Sequence, residues 1–193
     1  MYEYIQGKLV EATPAYAVVD CGGVGYMIEI SVNTYSKIKD LKEVKLLTHY
    51  VVREDAHLLY GFAEADERAM FRLLISISGV GTSTARVMLS SLTVQELKVA
   101  IVDGDVRTIQ HVKGIGAKTA QRVVLELRDK VGEVQGGTGN MIAASNKNAE
   151  EALSALTMLG FAKAAADKAL QKLAKQMPEA TVEELIKQAL QIL

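Results

Sequence analysis

"GVGTSTARVML" at residues 79–89 and "GIGAKTAQRVVL" at 114–125 carry one pattern twice, with a period of 35 residues. In each copy an apolar residue, a spacer, glycine, an apolar residue and a second glycine are followed four positions later by alanine. The copies run Ile77-Ser78-Gly79-Val80-Gly81 to Ala85, and Val112-Lys113-Gly114-Ile115-Gly116 to Ala120. One such triplet would be an ordinary glycine-containing helix turn; two with the same internal spacing are a repeated unit. The glycines let the chain turn sharply and leave no Cβ in the way of a bulky anion. The helix that follows points its unpaired N–H groups and positive dipole end at that anion. Val80 and Ile115 are predicted to pin the loops to a core, and Ala85 and Ala120 to let the flanking helices pack closely.

The pattern resembles the helix-hairpin-helix motif, which grips phosphate and sugar without reading bases. The candidate DNA-binding residues are Gly79, Val80, Gly81, Ser83 and Thr84 in the first copy, and Gly114, Ile115, Gly116, Lys118, Thr119 and Arg122 in the second. Lys118 and Arg122 fall one helical turn apart, each within reach of a phosphate oxygen. Neither loop is an ATPase phosphate cradle. Ala117 stands between Gly116 and Lys118, and the required earlier glycine is missing. A dinucleotide fingerprint is also incomplete, because its third glycine is absent.

Charge agrees with this placement. The chain as a whole carries −1, but residues 63–131 carry +2, against −2 for 1–62 and −1 for 132–193. Between Arg107 and Lys130 six basic residues face two acidic ones. The three histidines lack ligand-type spacing, so neither a metal nor another cofactor is expected. A lone Cys21 and a start, "MYEYIQGKLVEA", without a charged and then apolar leader predict a cytoplasmic protein.

Outward from the repeat, residues 1–62 read as five strands: "YEYIQGKLV", "AYAVVDC", "VGYMIEI", "EVKLLTHYVV" and "HLLYGF". Their Val, Ile and Tyr content, the turns between them and a short helix near "NTYSKIK" predict a small barrel of the OB type. In residues 63–131 the periodicity becomes helical, with Ala69, Phe71, Leu73, Leu74 and Ile77 on one stripe and a capping box at Thr93 and Glu96. Residues 132–148, rich in glycine and small polar side chains, are predicted to be a flexible linker. Residues 149–193 read as three short helices broken at Gly160 and Pro178. There Leu156, Leu159, Phe161 and Leu190 are candidates either for a core or for an exposed docking patch. The fold class is thus α+β and multidomain: an OB barrel, a central helical domain with two helix-hairpin-helix motifs, and a small C-terminal three-helix domain.

Across essentially its whole length the chain resembles the RuvA family of Holliday junction branch-migration proteins. The resemblance is most specific at "GGVGY" (22–26), "VVREDAHLLYGF" (51–62) and the paired glycine loops. It implies a homotetramer that holds a four-way DNA junction open in recombination, repair and the SOS response. It implies no catalysis by the chain itself: the RuvB hexameric ATPase is the motor, and the RuvC resolvase joins the assembly. An acidic pin falls on Glu54 and Asp55, and the RuvB-docking surface on Leu156, Leu159, Phe161 and Leu190. Two positions depart from the family's habit, Ser83 for a lysine and Lys113 for a proline, which moves side-chain charge toward the second loop. The competing class is a helix-hairpin-helix repair enzyme, a glycosylase or nuclease. It would need a catalytic Asp or Lys beside a base-sized pocket, or a carboxylate cluster for a metal. Asp103 and Asp105 read more simply as a helix end and the next helix cap.

Overall fold

Strands Tyr4–Ala12 (β1), Tyr16–Cys21 (β2), Val24–Ile30 (β3), Glu43–Val52 (β4) and His57–Phe62 (β5) close a barrel in the order β1-β2-β3-β5-β4. This computed structural model describes residues 2–132, 143–177 and 180–193. Every strand pair is antiparallel except β3 with β5, where Glu29 faces Tyr60 and Ile30 faces Gly61. Alternation drives the closure: in β4, Val44, Leu46 and Thr48 point inward while Glu43 and Lys45 face water. Val44 and Leu46, with Ile5, Ala17, Val19, Ile28 and Ile30, form the barrel core, joined by Ile38 from the helix Val32–Ile38 (α1). Each fully buried Ile or Leu contributes about 1.5–3 kcal/mol. The expected turn "EATP" is shorter than its sequence indicates, because β1 runs through Glu11 and Ala12 past a bulge after Leu9.

Helices Ala65–Ile75 (α2), Thr82–Ser91 (α3), Val94–Asp103 (α4), Val106–Gln110 (α5) and Ala117–Gly132 (α6) follow. The capping box at Thr93 and Glu96 is formed. Asp103 ends α4, Gly104 takes the left-handed conformation, and Asp105 caps α5. The apolar stripe of α2 is rotated from its expected position. Ala69 is exposed and Leu73 only half-buried, while Met70, Phe71 and Leu74 are inside with Glu67 beside them. The shift follows from Glu67, whose carboxylate accepts hydrogen bonds from the Ser31 and Thr34 hydroxyls of α1 and so draws that face inward.

The barrel and these helices are not separately packed. Tyr60 and Phe62, on the outer face of β5, belong to the helical core, with ring centroids 5.1 and 5.0 Å from that of Phe71. The chain forms two compact units, one of the described residues up to 132 and one from 143 onward. In the second, helices Ala143–Met158 (α7), Lys163–Gln176 (α8) and Val182–Ala189 (α9) enclose Ala152, Leu156, Ala166, Leu170, Leu173 and Leu185. Of the linker expected over 132–148, residues 133–142 lie outside the described residues. Residues 143–148 are helical, because elongating a helix already held by Ala152 and Leu156 adds one hydrogen bond per residue fixed. Gly160 ends α7 with φ 98°, and Pro178 lies outside the described residues.

Candidate nucleic-acid interface

The two loops repeat the same three backbone hydrogen bonds. Ile77 N–H donates to the Leu74 carbonyl, Val80 N–H to Ile77 and Ala85 N–H to Gly81; at the second site Val112 donates to Ile109, Ile115 to Val112 and Ala120 to Gly116. The side chains repeat as well. Leu74 and Ile109, Ile77 and Val112, Val80 and Ile115, Ala85 and Ala120, and Met88 and Val123 are all buried pairs. The first glycine of each loop is left-handed, φ 94° at Gly79 and 91° at Gly114, which only glycine adopts without strain.

The second glycine serves another purpose. Gly81 has φ −83°, which any residue can adopt, and a Cβ at Gly81 or Gly116 would meet nothing within 4 Å. Neither backbone conformation nor internal packing requires glycine there; what glycine leaves is room in front of the next helix. No side chain caps α3 at Gly81, so its first amides remain free to bind a ligand.

The loops lie side by side. The Cβ that Gly79 lacks would stand 3.6 Å from Thr119 Oγ1, and Arg122 Nη1 donates to the Ser78 carbonyl across 3.1 Å. Arg122 therefore braces the first loop as well as flanking the second, with Glu126 3.6 Å from its Nε. Ser83 and Lys118 are exposed, and Thr84 and Thr119 half-buried. Between β4 and β5 the turn "REDA" is closed by Arg53 N–H to the Ala56 carbonyl at 2.8 Å, and Glu54 and Asp55 stand exposed at its tip.

Two residues of this face escape a sequence reading. Thr82, the first residue of α3, is 8% exposed, and its hydroxyl accepts from Arg53 Nη2 and from the Tyr60 hydroxyl, each at 3.0 Å. The one available signal is a break in the repeat, threonine at 82 where the second copy has Ala117. Arg53 stands inside a motif already noted for its acids. In the C-terminal unit the expected docking set divides: Leu159 is 62% and Leu190 45% exposed, Phe161 is half-buried, and Leu156 is fully buried. Leu156 is corrected to a core residue, since α8 and α9 pack over it. Met158, 87% exposed, is a surface residue that apolar periodicity did not single out.

Among the described residues no group of three or more His, Cys, Asp and Glu stands together as a metal site, and no helix is long and apolar enough to cross a membrane. A closed five-stranded barrel packed against a tandem helix-hairpin-helix defines a class of proteins built to hold nucleic-acid backbone. Residues 1–61 match the RuvA N-terminal domain, 71–129 the SAM-like helix-hairpin-helix tandem and 147–193 the RuvA C-terminal domain. Proteins named Holliday junction branch migration complex subunit RuvA are similar along the full length. The one from Christiangramia forsetii is 55% identical over 190 residues and that from Flavobacterium psychrophilum 50% over 190, each alignment covering 98% of both chains. The one from Bacteroides fragilis is 48% identical over 198 residues, again covering 98% of both. The chain belongs to the RuvA family.

Proposed function

We propose that this chain is the junction-binding subunit of a branch-migration complex, gripping DNA backbone through its two glycine loops and presenting Glu54 and Asp55 at the strand crossover. The observation that carries this is the pair of equivalent, adjacent helix starts with open space before Gly81 and Gly116. The names of its relatives support the same reading. A homotetramer gathers four copies of the acidic turn at the centre of an open four-way junction. There the carboxylates repel phosphates, disfavour a duplex running straight through, and keep the arms apart. The chain works in the cytoplasm and is not itself an enzyme. RuvB supplies ATP hydrolysis and docks on the exposed apolar residues Leu159 and Leu190 beside Phe161, and RuvC joins the assembly for cleavage. A repair glycosylase or nuclease is not favoured by the family matches.

Gel-shift titration on four-way and linear DNA over a range of salt tests the binding role. Lys118→Ala is expected to weaken junction binding and reduce the salt slope by about one phosphate. Equal affinity for the two DNAs, or an unmoved slope, contradicts the reading. Replacing Glu54 and Asp55 together by Gln and Asn is expected to tighten linear-duplex binding more than junction binding.

A further inference from the structure

Arg53 is flanked by Glu54, yet among the described residues it forms no ion pair with Glu54 or Asp55. Its backbone closes the acidic turn onto Ala56, and its side chain leaves the turn to reach Thr82, 29 residues away, at the start of α3. Thr82 is a buried acceptor at the start of α3, the helix whose uncapped first amides are proposed above to hold phosphate. Its oxygen takes a second bond from Tyr60, itself only 1% exposed, so its position is set from two sides. Four residues earlier, at the start of the same loop, Arg122 holds the Ser78 carbonyl. The first loop, which lacks a lysine, is thus bonded to two guanidiniums, at Thr82 to one from the acidic turn and at Ser78 to one from the second motif.

We propose that Arg53 is a positioning residue that ties the acidic turn to the phosphate-binding end of α3. It sets the offset between the carboxylates that repel DNA and the amides that hold it, and junction selectivity depends on that link. The proposal rests on the acidic-turn reading above. A hydrogen bond from a charged planar donor is directional, so it fixes the distance and angle between the turn and the start of α3, which a pair with a carboxylate of the same turn would leave unset.

The test measures the junction-to-linear affinity ratio at one fixed salt concentration, the salt slope, and Tm, for the full-length chain. Thr82→Val removes the acceptor without changing charge or volume. It is expected to lower the ratio about three- to tenfold, the worth of one ordinary hydrogen bond, and to leave the salt slope alone. Arg53→Ala is expected to lower the ratio equally, and the Arg53→Ala/Thr82→Val pair no further, because both remove the same link. Tyr60→Phe deletes the other bond to the same oxygen, and is expected to lower Tm but not the ratio. If Tyr60→Phe lowers the ratio as much as Arg53→Ala, general loosening is the cause and the proposal fails. If Arg53→Ala reduces the salt slope by one while Thr82→Val is silent, Arg53 is a phosphate ligand and the proposal fails. A ratio unchanged in Thr82→Val but changed in Glu54→Gln/Asp55→Asn overturns the coupling alone; the reverse pattern overturns the acidic-turn reading and the coupling with it.

Discussion

At residue scale the paired glycines of each loop separate into two kinds of requirement, and substitution distinguishes them. Gly114→Ala forces a side chain into the left-handed region and is expected to cost about 1–2 kcal/mol of stability, read as a lower denaturation midpoint. Gly116→Ala meets no neighbour and is expected to leave that midpoint in place while weakening junction binding. Glu67 is a residue of another kind, a carboxyl held 2% exposed between the barrel helix α1 and α2. Burial pushes it above the usual carboxylate range, against the hydroxyls of Ser31 and Thr34 and the charge of Lys37, which pull it down. The native state therefore holds this proton more tightly than the unfolded chain. Its stabilising effect is complete below the unfolded carboxylate pKa and is lost as pH rises through the native value. Denaturation of the parent and of Glu67→Gln at several pH values should show the parent gaining relative stability as pH falls. A difference independent of pH would mean that Glu67 does not titrate in this window.

At the scale of elements, the way a helix begins reports its use. Ser31, Thr93, Asp105 and Thr181 cap α1, α4, α5 and α9 with side-chain oxygens, and α3 begins on a bare Gly81. The helices α2 and α8 also lack a side-chain cap, so an uncapped start does not mark a site by itself. What sets α3 and α6 apart is that each follows a glycine in the same repeated loop and that the two loops lie together. Gly81→Asn places a capping oxygen where the backbone already suits one, and is expected to raise helix stability by a few tenths of a kcal/mol. The same side chain would occupy the amides proposed to hold phosphate, so junction affinity should fall; higher stability with undiminished affinity would remove α3 from the interface. Within the barrel Gly7 and Gly61 act by close approach. A Cβ at Gly7 of β1 would collide with the Asp20 carbonyl oxygen of β2, and one at Gly61 of β5 with Ile28 Cγ2 of β3, so glycine lets each strand come close to its neighbour.

At the scale of the whole molecule, two units with separate cores imply separable roles. A chain stopped after residue 139 keeps the barrel and both loops. It is expected to bind junctions with the parent's affinity and to lose stimulation of RuvB-driven branch migration. Undiminished migration would remove the docking role from α7–α9. Loss of junction binding would show that these helices contribute to the assembly itself. The barrel and the tandem motif do not separate in this way, because Tyr60 and Phe62 lie in the helical core and Glu67 is bonded to α1. Cutting near residue 62 should therefore expose both Phe71 and Phe62 and yield two insoluble pieces.

The sequence by itself determined the five strands, the capping box at Thr93, the two glycine loops and their period, because each depends on local rules: alternation, a hydroxyl three residues before a glutamate, a glycine where φ must be positive. Only the tertiary structure decided what comes together from far apart. Leu156 could belong to a core or a docking surface on periodicity alone, and the packing of α8 and α9 put it inside. Arg122 read as a phosphate ligand, yet it also holds Ser78, 44 residues back in the chain. The link from Arg53 to Thr82 has no local signature, since its geometry arises only once Arg53 and Tyr60, on either side of the acidic turn, reach the same oxygen at the start of α3.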